Sequence, residues 1–425
     1  MRVRLAIIGG KPVSDSPWPQ WPPYNPKAEE RLKKALMSAR WTVRGWWTGQ
    51  KSLTQEFAER FADYLDVPYC VPTASGTSGL VISLEAANVG PGTTVILPAL
   101  TWIATAIAVL QVNAVPILID IDLETSCMST EEIEPAVDSS TVAILPVHLH
   151  GSMANMDSIL SLARSRNVVV IEDCAQSLGT LWRDRHCGTL GKFGCFSMNQ
   201  EKVLTCGEGG AVVASDEDLF NKLVCLRTDG CGPVRDPPAI GSYEFVDVGS
   251  PIGTNYCPSE FQMAVLMDEL DLLEERNKRR EDNARFLDRE LSRIPGVEPL
   301  RYLPQVSRRG YYRYVVSCNP ANFAGRTAFE ICRALRAELG CQVGQTDPPL
   351  HMSKLYQPLS KRRHLLNPEY TRRISTEELH FPHAERAYNT YVTFHHSVLL
   401  ADQSRMTEIV EALEKVYRSA ESIPK

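Results

Sequence analysis

At 425 residues the chain is longer than one typical domain, and its 44% hydrophobic content is that of an ordinary globular protein. A net charge of −6 leaves no electrostatic case for nucleic acid or an anionic membrane, and the basic stretches Lys278-Arg279-Arg280 and Lys361-Arg362-Arg363 are short enough to be solvated faces. The twelve cysteines contain no C-x-x-C pair, which argues against zinc knuckles and redox dithiols and fits a reducing compartment.

The first ten residues hold a short apolar run without the h-region and cleavage site of a signal peptide. No stretch approaches the roughly 18 apolar residues of a spanning helix, so a cytoplasmic location is expected. Residues 11–26 carry six prolines around Trp18 and Trp21, which excludes a helix or a central strand. Residues 1–27 are therefore read as an extended arm whose tryptophans pack on something. A helical pattern starts near Ala28 and breaks near Trp41-Thr42-Val43-Arg44-Gly45. From there to about residue 230, apolar strands alternate with helices, the pattern of a parallel sheet with crossover connections. The strands are 94–98, 116–120, 143–148, 168–173, 195–198 and 210–214; the helices between them include 77–87, 103–112 and 156–166. Ser129-Thr-Glu-Glu132 has the form of a capping box. A long charged helix is expected over 259–293, then a strand at 312–318 and helices at 328–339 and 405–419. The fold class is α/β, with a large domain at 28–285 and a smaller α+β domain at 286–425.

The chemistry centres on Lys202. It lies between the apolar run Phe196-Ser197-Met198 and the glycine-rich Gly207-Glu208-Gly209-Gly210, a context that implies burial. A buried lysine can lose its proton and attack an aldehyde. Upstream, Val168-Val169-Val170-Ile171-Glu172-Asp173 reads as a buried strand ending on two carboxylates, at the strand end where open α/β sheets bind ligands. An acid at a pyridine nitrogen keeps the ring cationic and makes it an electron sink. Together the two suggest pyridoxal 5'-phosphate (PLP). Thr73-Ala74-Ser75-Gly76-Thr77 opens a helix whose free amides suit a phosphate. His395-His396 has the look of a metal pair, but neighbours on a strand point to opposite faces, and no metal site is expected.

Ser75-Gly76-Thr77, Pro98-Ala-Leu-Thr-Trp102, Glu172-Asp173-Cys-Ala-Gln176, Ser197 to Lys202 and Gly207-Glu-Gly-Gly210 follow one another in an order that resembles the DegT/DnrJ/EryC1/StrS sugar aminotransferases. The resemblance implies the aspartate-aminotransferase-type fold, with a mostly parallel sheet in the large domain. It implies that Lys202 forms the Schiff base with the cofactor and shuttles the proton, and that Asp173 pairs with the pyridinium nitrogen. Trp102 would stack on the ring and Gln176 would sit beside it. Ser75, Gly76, Thr77 and Ser197 would hold the phosphate. Asn255 would reach the phosphate of a partner subunit, which makes a homodimer the functional unit. A lysine, where the family's dehydratases carry histidine, favours amino transfer.

Several segments look closer to one branch, among them Gly45-Trp-Trp-Thr-Gly49, Pro146 to Asp157, Gln305 to Tyr312 and Phe394 to Ala401. They resemble the enzymes that aminate scyllo-inosose and 2-deoxy-scyllo-inosose with L-glutamine in aminocyclitol antibiotic biosynthesis. The runners-up are a 3-amino-5-hydroxybenzoate-synthase-like enzyme and an aminotransferase for a nucleotide-linked keto sugar. An uncharged polyol ketone calls for neutral hydrogen-bonding groups. His148, Tyr311, Tyr312 and His395 are the substrate-pocket candidates. Arg227, Arg308 and Arg309 stand as candidates for the donor's carboxylate or for a nucleotide.

Overall fold

Seven strands form the main sheet of the computed structural model, which describes residues 4–234, 238–249 and 251–424. Their spatial order is Tyr69–Thr73, Gly210–Ala214, Phe193–Ser197, Val169–Asp173, Thr141–Ile144, Thr94–Pro98 and Val115–Ile119. The last five pair in parallel, whereas Gly210–Ala214 runs antiparallel to both its neighbours. Successive residues along each strand enter different apolar cores. Val95 and Leu97 join one, and Ile96 the other; Ile171 and Val170 divide in the same way, as do Val212 and Val213. Both faces are therefore dry, which is why these strands read as continuous apolar runs instead of alternating ones.

A second, antiparallel sheet of four strands holds Val297–Pro299, Arg313–Cys318, Tyr391–His395 and Val343–Gln345, in that spatial order. The helices Leu273–Leu291, Ala328–Leu339 and Gln403–Arg418 pack their apolar faces into its core. The proline-rich arm runs back onto this part of the chain. Trp18 Nε1 donates to Leu339 O at 2.7 Å, and the Arg405 guanidinium sits 4.4 Å from the Trp18 ring. Trp21 meets His396 edge-on at 4.5 Å between ring centres.

Three local expectations are corrected. Tyr69–Thr73 is a strand that the pattern did not indicate; it pairs without interruption through Pro72, and its place at the sheet edge is where a proline is tolerated. The long charged helix is two helices, Glu260–Asp271 and Leu273–Leu291, which meet at Leu272. Ser129 does start the helix Thr130–Ala136, but without a side-chain cap; Glu132 accepts instead from the Asp120 N–H at 2.7 Å, fastening the helix to the preceding strand end. Among the described residues, no helix is long and apolar enough to cross a membrane.

Candidate active site

A cavity of about 730 Å³ opens at the carboxyl ends of the main strands and is closed on its far side by the smaller sheet. One wall is the start of the helix Gly76–Ala86. Ser75 is its N-cap: Ser75 Oγ accepts from the Ser78 N–H, and Ser78 Oγ accepts from the Ser75 N–H. The Ser75 hydroxyl is thus engaged within the cap, whereas that of Thr77 has no partner among the described residues. The helix end lies hard against two strands. A Cβ on Gly76 would come within 2.8 Å of the Ser197 Cβ, and one on Gly210 within 2.5 Å of the Ser75 backbone. Glycine at both positions lets backbone amides, the positive end of the helix and the Ser197 hydroxyl face one small space.

The two carboxylates that end Val169–Asp173 point to opposite sides of the strand. Asp173 faces the cavity, accepting from Thr105 Oγ1 at 2.8 Å and from the Ala175 N–H at 3.1 Å. Burial pushes its carboxyl above the usual range, while those hydrogen bonds and the Lys202 charge pull it back. A cation brought against it from the cavity would favour the carboxylate further. Glu172 faces the other way and is fully engaged. It accepts from the N–H groups of Gly188, Leu190 and Gly191 and meets His148 Nε2 at 2.9 Å. Burial works to raise it, but the His148 interaction and the backbone donors win and hold it below the usual carboxylate range. His148, Glu172 and Cys174 bring possible ligand atoms within 4.8 Å of one another, yet both Glu172 oxygens already accept backbone N–H groups, so this cluster is structural.

Lys202 lies in the turn after Phe193–Ser197, its N–H bonded to Asn199 O. Its Nζ stands 4.1 Å above the Tyr312 ring, a cation–π contact that aims the amine into the cavity. Trp102 and Gln176 also line the space. The structure therefore brings together Ser75, Gly76, Thr77, Trp102, Asp173, Gln176, Ser197, Lys202 and Tyr312.

Four candidates lie elsewhere. His148 is fully buried against Glu172, outside the cavity lining. Tyr311 faces the opposite way from Tyr312, into the smaller core beside Arg309. His395 lies behind the wall, 3.4 Å from Glu201 and bonded to Ser397; burial and the Arg313 charge push it down to about 3, so it is neutral. Asn255 is exposed, and its Oδ1 accepts from the Cys257 N–H. The three arginines are also committed elsewhere. Arg227 donates to Pro72 O, Arg308 pairs with Glu274, and Arg309 donates to Leu300 O.

Residues not anticipated from the sequence complete the wall. His150 takes the place expected of His148. Its φ of +57° turns the chain, its Nε2 hydrogen-bonds Thr346 Oγ1 at 2.9 Å, and its N–H donates to Gln176 Oε1. Burial pushes it down to about 3. A second histidine two places after the first was the available signal. Arg313, Thr346 and Asp347 come from the smaller sheet and its loops. They carried no local signal, since nothing near them in the chain hints at a ligand.

The pattern of the DegT/DnrJ/EryC1/StrS aminotransferase family matches residues 29–414. The chain is 41% identical to the L-glutamine:2-deoxy-scyllo-inosose aminotransferase of Streptoalloteichus tenebrarius, over 98% of each chain. It is 40% identical to the L-glutamine:scyllo-inosose aminotransferase of Streptomyces griseus, over 99% of each. Among solved structures, 3-amino-5-hydroxybenzoic acid synthase superposes with a TM-score of 0.79 at 26% identity, covering 94% of this chain and 98% of its own. The cofactor of such enzymes is pyridoxal phosphate. The cavity fits it: a phosphate-sized cradle that a Cβ at Gly76 or Gly210 would fill, a buried acid, and a lysine all face the same space.

Proposed function

The chain belongs to the DegT/DnrJ/EryC1/StrS aminotransferase family, and from that premise we propose that it moves the amino group of L-glutamine to a cyclitol ketone of the scyllo-inosose or 2-deoxy-scyllo-inosose type, as a step of aminocyclitol biosynthesis. The observation that carries this reading is identity of about 40% over essentially the whole length of relatives with those two activities. The products are the aminocyclitol and 2-oxoglutaramate. The likeness to 3-amino-5-hydroxybenzoic acid synthase is lower, at 26%, and supports the fold more than the reaction.

In this reading the Gly76–Thr77 amides, the Thr77 hydroxyl and Ser197 hold the phosphate of pyridoxal phosphate, and Asp173 holds its ring nitrogen. Trp102 would stack on the ring and Gln176 would lie beside it, both lining the cavity. When bound, the cofactor supplies an aldehyde for Lys202 and an electron sink for the carbon that loses a proton. Thr105 and the Ala175 N–H fix the Asp173 carboxylate against rotation. The Lys202 amine, steered by the Tyr312 ring, takes the α-proton of glutamine and later delivers a proton to the former ketone carbon of the acceptor. Arg313 receives the donor's carboxylate: it lines the cavity, and its ion pair with Glu201, at 3.6 Å, is too long to be a hydrogen bond and leaves its donors available. Asn255, exposed and outside this chain's own cavity, is read as serving the phosphate of a partner subunit, so that the working unit is a homodimer.

Incubation of the protein with pyridoxal phosphate, L-glutamine and each cyclitol ketone tests this directly. Equal amounts of aminocyclitol and 2-oxoglutaramate are expected. Loss of the visible absorbance with glutamine, but no aminated product from either ketone, would sink the acceptor assignment while keeping the donor.

A further inference from the structure

The cavity has one carboxylate with no evident work to do. Asp347 follows the strand Val343–Gln345 and lines the cavity wall. Its chain neighbours are fastened on both sides. Gln345 Nε2 donates to Tyr388 O at 3.0 Å, Thr346 Oγ1 is bonded to His150, and Pro348 and Pro349 stiffen the backbone beyond. The Asp347 carboxylate itself has neither a hydrogen-bond partner nor an ion pair within 4.0 Å among the described residues. Burial pushes it above the usual carboxylate range, and the more distant Arg313 and Lys202 charges pull it back. Half-buried on the cavity wall, its two oxygens are left open to a ligand that brings hydrogen-bond donors.

We propose that Asp347 selects the acceptor: its two oxygens receive adjacent hydroxyls of the cyclitol ring, while its charge turns away anionic ligands from that side of the cavity. The inference rests on the functional reading above. A carboxylate is an acceptor-only group with two oxygens, which matches the paired O–H donors of neighbouring ring carbons. A donor carboxylate or a nucleotide diphosphate at the same spot would face like charge. The cavity must hold two unlike substrates in turn. Arg313 suits the anionic one, and Asp347 suits the neutral polyol.

The test follows the two half-reactions separately in the holoenzyme, wild type against Asp347→Asn and Asp347→Ala. Loading by glutamine is read as loss of the visible band, and unloading to the ketone as its return. Titration with scyllo-inositol, a polyol that cannot react, gives binding without turnover. For D347N we expect glutamine loading within about twofold of wild type, which also shows that the variant is folded. The KM for the ketone should rise roughly 30-fold, as for losing hydrogen bonds to a charged group, and scyllo-inositol binding should weaken in parallel. A D347N enzyme that unloads to the ketone unchanged, or that loses both half-reactions equally, overturns the inference; in the second case Asp347 merely balances Arg313. A wild type that loads from glutamine yet unloads to neither ketone overturns the functional reading and this inference with it.

Discussion

Glu172 and Asp173 are adjacent and chemically alike, and their environments send them to different tasks. Asp173 keeps a face toward the cavity with two donors behind it, whereas Glu172 is consumed by three backbone N–H groups and His148. Glu172→Gln would set an amide NH₂ against those N–H donors inside a dry core. We expect a loss of roughly 3 kcal/mol in unfolding free energy at pH 7, read by denaturant titration. The pH dependence has a definite sign. The folded Glu172 carboxyl lies below its unfolded value of about 4.5, so its contribution is complete above that pH and fades as the pH drops through the folded value. The gap between wild type and E172Q should therefore narrow only below about pH 4.5. Equal stability at pH 7 would show that Glu172 is not the anchor described here.

At the scale of elements, the cradle depends on how closely a helix end approaches two strands. The Gly76–Ala86 helix begins against Ser197 and Gly210, with no room for a methyl group at Gly76. Gly76→Ala must push the helix end away from Phe193–Ser197, and with it the amides proposed to hold the phosphate. Overpacking of this size costs about 1–3 kcal/mol. Cofactor affinity should fall at least about tenfold, measured by titrating the apoprotein with pyridoxal phosphate, while the fold survives. Unchanged affinity would mean that the phosphate is held elsewhere. The same closeness explains the Ser75–Ser78 capping box: with no slack in position, the helix start is fixed by reciprocal side-chain bonds.

Across the whole molecule, the cavity joins two sheets. Phosphate cradle, acid and lysine come from the main sheet; Tyr312, Arg313, Thr346 and Asp347 come from the smaller sheet and its loops. The arm reinforces this part of the molecule, since Trp21 packs against His396 and its Nε1 donates to Gln200 O, two residues from Lys202. Only Asn255 among the expected cofactor residues stays outside. Coexpression of Lys202→Ala and Asn255→Ala chains tests the shared-site reading. Each variant alone should be nearly inactive. Mixed dimers carry one site with both residues intact, so about a quarter of wild-type activity should return at random pairing. No recovery would place Asn255 in the service of its own chain, and an Asn255→Ala variant active by itself would place it in the service of none.

The main sheet, and the lysine, strand-end acid and glycine-bearing helix start that line one cavity, were legible in the sequence because each is a local event. A strand buried on both faces is a continuous apolar run, and a glycine beside a helix N-cap marks a close approach. What depended on the path of the chain was not legible. Pro72 hid an edge strand, and a single left-handed residue put His150 rather than His148 at the cavity wall. Period-two alternation separated Tyr312 from Tyr311, but which of the two faced the lysine required the smaller sheet to be in place. The sequence by itself determined the cofactor chemistry, since those residues sit in short segments with their own signature. The groups proposed to meet the substrates were decided only by the tertiary structure. Arg313 and Asp347 are more than a hundred residues from Lys202 in the chain, and packing of the smaller sheet against the main one is what brings them to the same cavity.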